Sequence, residues 1–196
     1  FFMSTFSLYF NLGLTHILDI QGYDHILFVV ALCALYMLRD WRKVLILVTA
    51  FTIGHSVTLA LATLNIIQVN AAFIEFLIPV TIFITAVSNI LRDQKNASPS
   101  RVQLNYVYAL FFGLIHGMGF SNYLRSLLGQ EEDITVPLLA FNLGLELGQI
   151  VIVAIVLVAA SIFVSILSVA RRDWKLVISA AVAGIALTLM MDAKFW

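Results

Sequence analysis

Apolar residues fill this chain in long runs, and the informative positions are the few polar ones inside them. Runs at 24–38, 43–64, 70–91, 104–127, 135–168 and 174–192 approach the roughly 20 residues that a helix needs to cross about 30 Å of hydrocarbon. They predict an all-α polytopic membrane bundle of six transmembrane helices, one domain over 1–196. Ahead of them, Ser4 to Leu18 carries Ser7, Asn11 and Thr15 at i, i+4 and i+8, which predicts an amphipathic helix. At about 15 residues it is short for a span, so it is expected in the interface or partly inserted. Met3 reads as a start position, with Phe1 and Phe2 as a remnant ahead of it and no cleavable leader.

Composition agrees: 62% of residues are hydrophobic and 11% charged, against about 25% charged in a soluble domain, and mean hydropathy is +1.01. Formal net charge is zero, so no basic surface argues for nucleic acid. The few charges matter by position. Connections holding Arg39, Arg42 and Lys43, then Arg92, Lys95 and Arg101, then Arg171, Arg172 and Lys175 are basic. Between them, Asn65–Asn70 is uncharged and the loop before Thr135 holds Glu131, Glu132 and Asp133. The positive-inside rule makes the basic loops cytoplasmic in a bacterial-type cell membrane, with the N-terminus and Asp24-His25 on the outer side. The single cysteine, Cys33, lies in an apolar run and reads as a small buried hydrophobe.

Polar residues inside the runs are costly, about 2.5–3.5 kcal/mol for a charge at mid-depth on the lenient insertion scale. His55, His116 and Glu146 therefore need partners, and a divalent transition metal satisfies imidazole and carboxylate together. The candidate ligands are Asp24, His25, His55, His116 and Glu146, with His16, Asp19, Glu75, Asn142, Gln149 and Ser56 behind them or along a path. Asn142, Glu146 and Gln149 share one helical face by their i, i+4, i+7 spacing. Gly113 and Gly117 flank His116, and Gly144 and Gly148 flank Glu146. Small residues admit close helices, which predicts that these two faces pack on each other and bring His116 to Glu146. Plainer roles stand beside these: Asp24 as a helix cap, the histidines as hydrogen-bonded core residues, and Glu146 as a buried neutral acid.

Four ordered blocks, HILDIQGYDHILF, AFTIGHSVTLALA, GLIHGMGF and FNLGLELGQ, resemble the HupE/UreJ family of membrane proteins. Seven residues, Ile17 to Tyr23, separate His16 from Asp24-His25, and GLIHGMGF has one histidine, which is similar to a second, more divergent branch. The resemblance implies a nickel or cobalt permease, an outer capture motif of His16, Asp24 and His25, and a transport path through His116 and Glu146.

Two functions fit these residues first, and a sensor or assembly scaffold that binds metal without moving it is a third. One is a permease that moves a divalent transition metal inward from Asp24 and His25 towards His55, His116 and Glu146; with no Walker-type loop, transport is passive, gradient-coupled or driven by another subunit. The other is a membrane-embedded zinc metallohydrolase using the same cluster, with Glu146 or Asp24 as general base. The expected partners are the bilayer, the metal ion, and a second copy of the chain or an accessory subunit.

Overall fold

The computed structural model describes residues 4–92, 99–128 and 134–195, with the backbone alone at 99–104. Phe1, Phe2, Met3, Lys95 and the acidic Glu131, Glu132 and Asp133 lie outside the described residues. Within them the chain forms α1 (Thr5–Leu18), α2 (Asp24–Cys33), α3 (Trp41–Thr63), α4 (Ala71–Leu91), α5 (Pro99–Gly119), α6 (Ser121–Leu128), α7 (Thr135–Ser161) and α8 (Arg171–Asp192). A 3-10 turn at Leu38–Asp40 leads into α3, and a π turn at Ile162–Ile166 extends α7. Side-chain caps start two of the helices: Ser7 N donates to Ser4 Oγ at 3.2 Å, and Phe73 N donates to Asn70 Oδ1 at 3.3 Å.

Among the described residues, four stretches are long and apolar enough to cross a membrane: Leu38–Thr63, Ala71–Leu91, Thr135–Ile166 and Arg171–Asp192. The expected count of six does not carry over in that form. The run at 24–38 supplies only the ten residues of α2, and the run at 104–127 breaks after Gly119 into α5 and the short α6.

Glycine sets where helices touch. A Cβ on Gly13 of α1 would overlap the Phe141 carbonyl oxygen on α7 and stand 3.0 Å from Leu145 N. A Cβ on Gly144 would overlap the Phe10 carbonyl oxygen and stand 2.9 Å from Leu14 N, and Gly148 faces Leu14 and Ile17. Paired numbers rise together, so α1 and α7 run parallel, backbone against backbone. The same holds for α3 and α5: Gly54 meets Leu110 and Leu114, Gly113 meets Phe51 and His55, and Gly117 meets His55 and Thr58. This corrects the expected pairing. Both glycine pairs admit close helices, but α5 is seated on α3 and α7 on α1, because a stripe of small residues marks a contact and not its partner.

A second pattern concerns the amino-terminal third. Phe28 of α2 lies 4.8 Å from Phe51, His25 lies 6.0 Å from His55, and Cys33 shares a core with Val44 and Val48. Numbers fall on α3 as they rise on α2, so the two are antiparallel. His55 facing Phe141, and Thr49 facing Glu146, make α3 antiparallel to α7 as well. Thus α1, α2 and α7 point the same way, with non-helical chain at 19–23 between α1 and α2. α1 buries Tyr9, Gly13 and Ile17 in the bundle; its exposed Asn11 and Thr15 form the outward stripe that the sequence showed.

Cationic side chains close several helix ends by donating to carbonyls there, where the helix dipole favours positive charge. Lys175, almost fully buried, donates to the carbonyls of Arg92 at 2.7 Å and Ile90 at 3.5 Å beyond and within the last turn of α4. Arg171 reaches the Leu35 carbonyl at 2.9 Å, and Arg125 bonds the Ala62 carbonyl near the end of α3.

Candidate metal centre

The break between α1 and α2 brings the histidines together. His16 lies in the last turn of α1, His25 is the second residue of α2, His55 is midway along α3, and His116 is near the end of α5. Their ring centroids are 4.7 Å apart for His16–His25, 6.4 Å for His16–His55, 6.0 Å for His25–His55 and 5.2 Å for His25–His116. All four of the chain's histidines, separated by up to a hundred residues, therefore meet in one cluster.

Three of them meet as ligands could. The ring nitrogens offered by His16, His25 and His55 lie within 4.8 Å of one another. A tetrahedral site with metal–nitrogen bonds of about 2.0–2.1 Å holds its nitrogens about 3.4 Å apart, so modest ring rotations separate this cluster from a closed one. The hydrogen-bond inventory points the same way. His16 Nε2, His25 Nε2, both nitrogens of His55 and His116 Nδ1 are buried without a protein partner. Each unpaired buried polar atom costs about 1–3 kcal/mol, and a cation on the lone pairs removes part of that cost.

Asp24 fixes how His25 faces the cluster. Its Oδ1 accepts from the His25 backbone N at 2.8 Å and pairs with Nδ1 at 2.9 Å. A carboxylate on Nδ1 holds the proton there and leaves the Nε2 lone pair for a metal, the usual carboxylate–histidine arrangement of metal sites. His116 is engaged differently: Nε2 pairs with Thr81 Oγ1 of α4 at 3.1 Å, and Nδ1 is free. Phe28, Phe51, Phe120 and Phe141 wall the cluster, with the Phe120 ring 4.0 Å from His16.

The remaining candidates separate by position. Glu146 is half-buried and accepts from Thr49 Oγ1 at 2.7 Å; Gln149, fully buried, pairs with Thr52 Oγ1 at 2.8 Å. Thr52 and Thr49 precede His55 by three and six residues, about 4.5 and 9 Å along α3, so this polar seam between α3 and α7 runs away from the histidines. Glu146 does not lie beside His116 as the glycine argument expected, because their helices pack on different partners. Asn142 donates from Nδ2 to the Leu138 carbonyl at 2.8 Å while its Oδ1 is buried and unpaired. Ser56 bonds the Thr52 carbonyl of its own helix at 2.7 Å. Asp19 is an exposed loop residue accepting from Gln21 N at 2.9 Å. Sequence reasoning passed over Thr81, whose hydroxyl in an apolar helix gives no signal apart from its partner.

A cavity of about 210 Å³ leads from the surface to Asp24. It is lined by Gln21 to Asp24 of the break, by Glu75, Ile78 and Pro79 of α4, and by Leu189 and Ala193 at the end of α8. Two carboxylates, Asp24 and Glu75, thus face one vestibule. Pro79 also lacks the N–H that would bond the Glu75 carbonyl, which leaves a further oxygen without its helical partner.

Searches among curated proteins and among solved structures return no match. A family model described as HupE / UreJ protein matches residues 2–194. With four helices apolar enough for a bilayer and a match over nearly its whole length, the chain belongs to the HupE/UreJ family of integral membrane proteins.

Proposed function

We propose that this protein is a membrane permease for a divalent transition metal, nickel or cobalt, with His16, His25 and His55 as the binding site. The observation that carries the reading is a set of three imidazoles from three helices, His25 and His55 buried and His16 half-buried, each with a buried unpaired nitrogen and with ring nitrogens within 4.8 Å of one another. Neutral imidazole suits nickel, cobalt and zinc alike. Asp24 orients His25, and its charge together with that of Glu146 offsets part of the cation's charge in a medium of low dielectric. His116 stands beside the ligand set, with its free Nδ1 available as a fourth donor or as a step along the path. Glu75 and Asp24 draw the ion into the vestibule. The basic loops then lie in the cytoplasm, with the vestibule on the outer side.

Three imidazoles and a water also make a zinc hydrolase site. Such an enzyme needs a base next to the open position, and the two candidates for that base are engaged: Asp24 with His25, Glu146 with Thr49. This favours the permease.

The test is nickel and cobalt uptake into proteoliposomes, with metal titration of the detergent-solubilised chain and of His55→Ala. Reversible binding and uptake, both lost in His55→Ala, is the expected result. Stoichiometric, slowly exchanging zinc with no uptake would transfer the assignment to the hydrolase, and no binding of any of these metals would end both.

A further inference from the structure

We propose that the ion leaves the histidine site through a second cavity, at the end of the bundle carrying Arg92, and that Phe28, Phe51 and Phe112 are the gate between the two. The proposal rests on the permease reading.

The second cavity has a volume of about 600 Å³ and lies between α2, α3, α4 and α5. Its polar lining includes Tyr36, Thr85, Ser88, Asn89 and Asn105, and Phe112 forms part of its wall. Thr85 and Ser88 follow Thr81 on α4 by four and seven residues, so the three hydroxyls share one face over about 10 Å. Thr81 holds His116 Nε2 at 3.1 Å. A stripe of oxygens therefore starts at the histidine cluster and ends inside the cavity. None of its members is ionisable, which is why charge alone shows no route in this half of the chain.

Aromatic rings link the histidines to the wall of the cavity. The Phe28 ring lies 4.8 Å from Phe51 and 5.9 Å from Phe112. On the other side, His116 is 5.2 Å from Phe28 and 5.1 Å from Phe51, and His25 is 6.4 Å from Phe51. Phe28 and Phe51 are sealed from solvent at 0% and 1% exposure. Histidines thus stand above the rings and the cavity below, and apolar constrictions of this kind stop a hydrated ion. On the other side the Asp24–Glu75 vestibule ends at the carboxylate that holds His25, so the histidines lie between two cavities, an arrangement that alternating access can use.

Phe28 is the ring able to move. It sits on α2, ten residues long, with non-helical chain at 19–23 before it and a break after Cys33; a small rotation of so short an element bends no long helix. On the opposite side of α3, polar groups are tied to one another by the Thr49–Glu146 and Thr52–Gln149 bonds.

The experiment uses the full chain in a Cys33→Ala background, reconstituted in liposomes. Ser88→Cys reacts with an impermeant maleimide from one face of the membrane only, the face where Arg42→Cys also reacts. Thr81→Cys is protected and gains reactivity from that same face when Phe112→Ala is added. Ser88→Trp, which fills the cavity from a position already exposed, binds nickel as the parent does in calorimetry yet shows uptake no faster than protein-free liposomes. Parent-like uptake by Ser88→Trp, or protection of Thr81→Cys that persists with Phe112→Ala, would overturn the proposal. A parent chain that neither binds nor moves nickel sinks the permease reading instead, and the labelling pattern then decides the gate by itself.

Discussion

Replacing Asp24 by asparagine tests the metal centre at the atom on which its geometry turns. One carboxylate oxygen, Oδ1, receives the His25 backbone N at 2.8 Å and Nδ1 at 2.9 Å. Asparagine keeps the size and one acceptor oxygen, so Nδ1–H can still be held and the lone pair of Nε2 still faces His16 and His55. What is lost is the negative charge behind the imidazole. Changes to carboxylates behind metal-bound histidines cost about 10–100-fold in affinity, or about 1.4–2.7 kcal/mol. Asp24→Asn falls at the lower end of that range because the tautomer survives, and Asp24→Ala at the upper end because it does not. Asp24 is also in the first turn of α2, where a lost dipole interaction costs about 0.3–1 kcal/mol of stability. The two effects separate by method: nickel titration calorimetry reads the first, thermal unfolding without metal the second. Asp19→Asn, an exposed acid of the same loop, is the matched control and leaves affinity unchanged. Affinity of Asp24→Asn within about twofold of the parent, with only the stability loss present, would reduce Asp24 to a helix cap.

Three further outcomes follow from the packing. Gly144→Ala drives a Cβ into the Phe10 carbonyl and lowers stability by about 1–3 kcal/mol as overpacking does. Gly184→Ala, with nothing within 4 Å of the added carbon, raises it by about 0.5–1 kcal/mol; thermal unfolding that fails to separate the pair would refute the parallel α1–α7 contact. Thr81→Val, which frees His116 Nε2, leaves nickel affinity near the parent value while His55→Ala abolishes binding; equal losses in calorimetry would move His116 into the ligand set. Lys175→Met keeps the buried stem but strands the carbonyls of Arg92 and Ile90, costing about 1–3 kcal/mol in unfolding, and an unchanged melting temperature would mean that water replaces the ammonium.

The apolar runs made the all-helical membrane class legible, because lipid selects for hydropathy and length, and both are properties of a window of sequence. His25, His55 and His116 were legible as a group for a related reason: an ionisable side chain in an apolar run requires a partner wherever the chain then goes. His16 was ranked behind them. It lies on a helix too short to span, and nothing local shows that α1 is carried deep into the bundle by Gly13 meeting Phe141. Partner choice was the general failure. Gly113 and Gly144 announce close contacts equally, but whether α5 meets α3 or α7 is decided by the whole bundle, so the join of His116 to Glu146 did not follow.

The interruption at 19–23 then has a physical role of its own. A continuous helix here would present side chains to the cluster and nothing else, whereas two half-helices also present their ends. The last carbonyls of α1, from Thr15 to Leu18, have no N–H ahead of them within the helix, and they carry the negative end of its dipole, worth about half an elementary charge. His16 sits in that last turn, so a cation on its imidazole lies close to the favourable end of α1. The first turn of α2 opposes this with its positive end, and Asp24 is the residue placed there. Its carboxylate cancels the unfavourable end, orients His25 and faces the vestibule that it shares with Glu75. Gln21, Gly22 and Tyr23 of the break line the vestibule, the setting in which a membrane protein tolerates non-helical backbone. The break is therefore what allows histidines from α1 and α2 to approach His55 from the same end of the bundle, and what gives a cation an electrostatic reason to stop there.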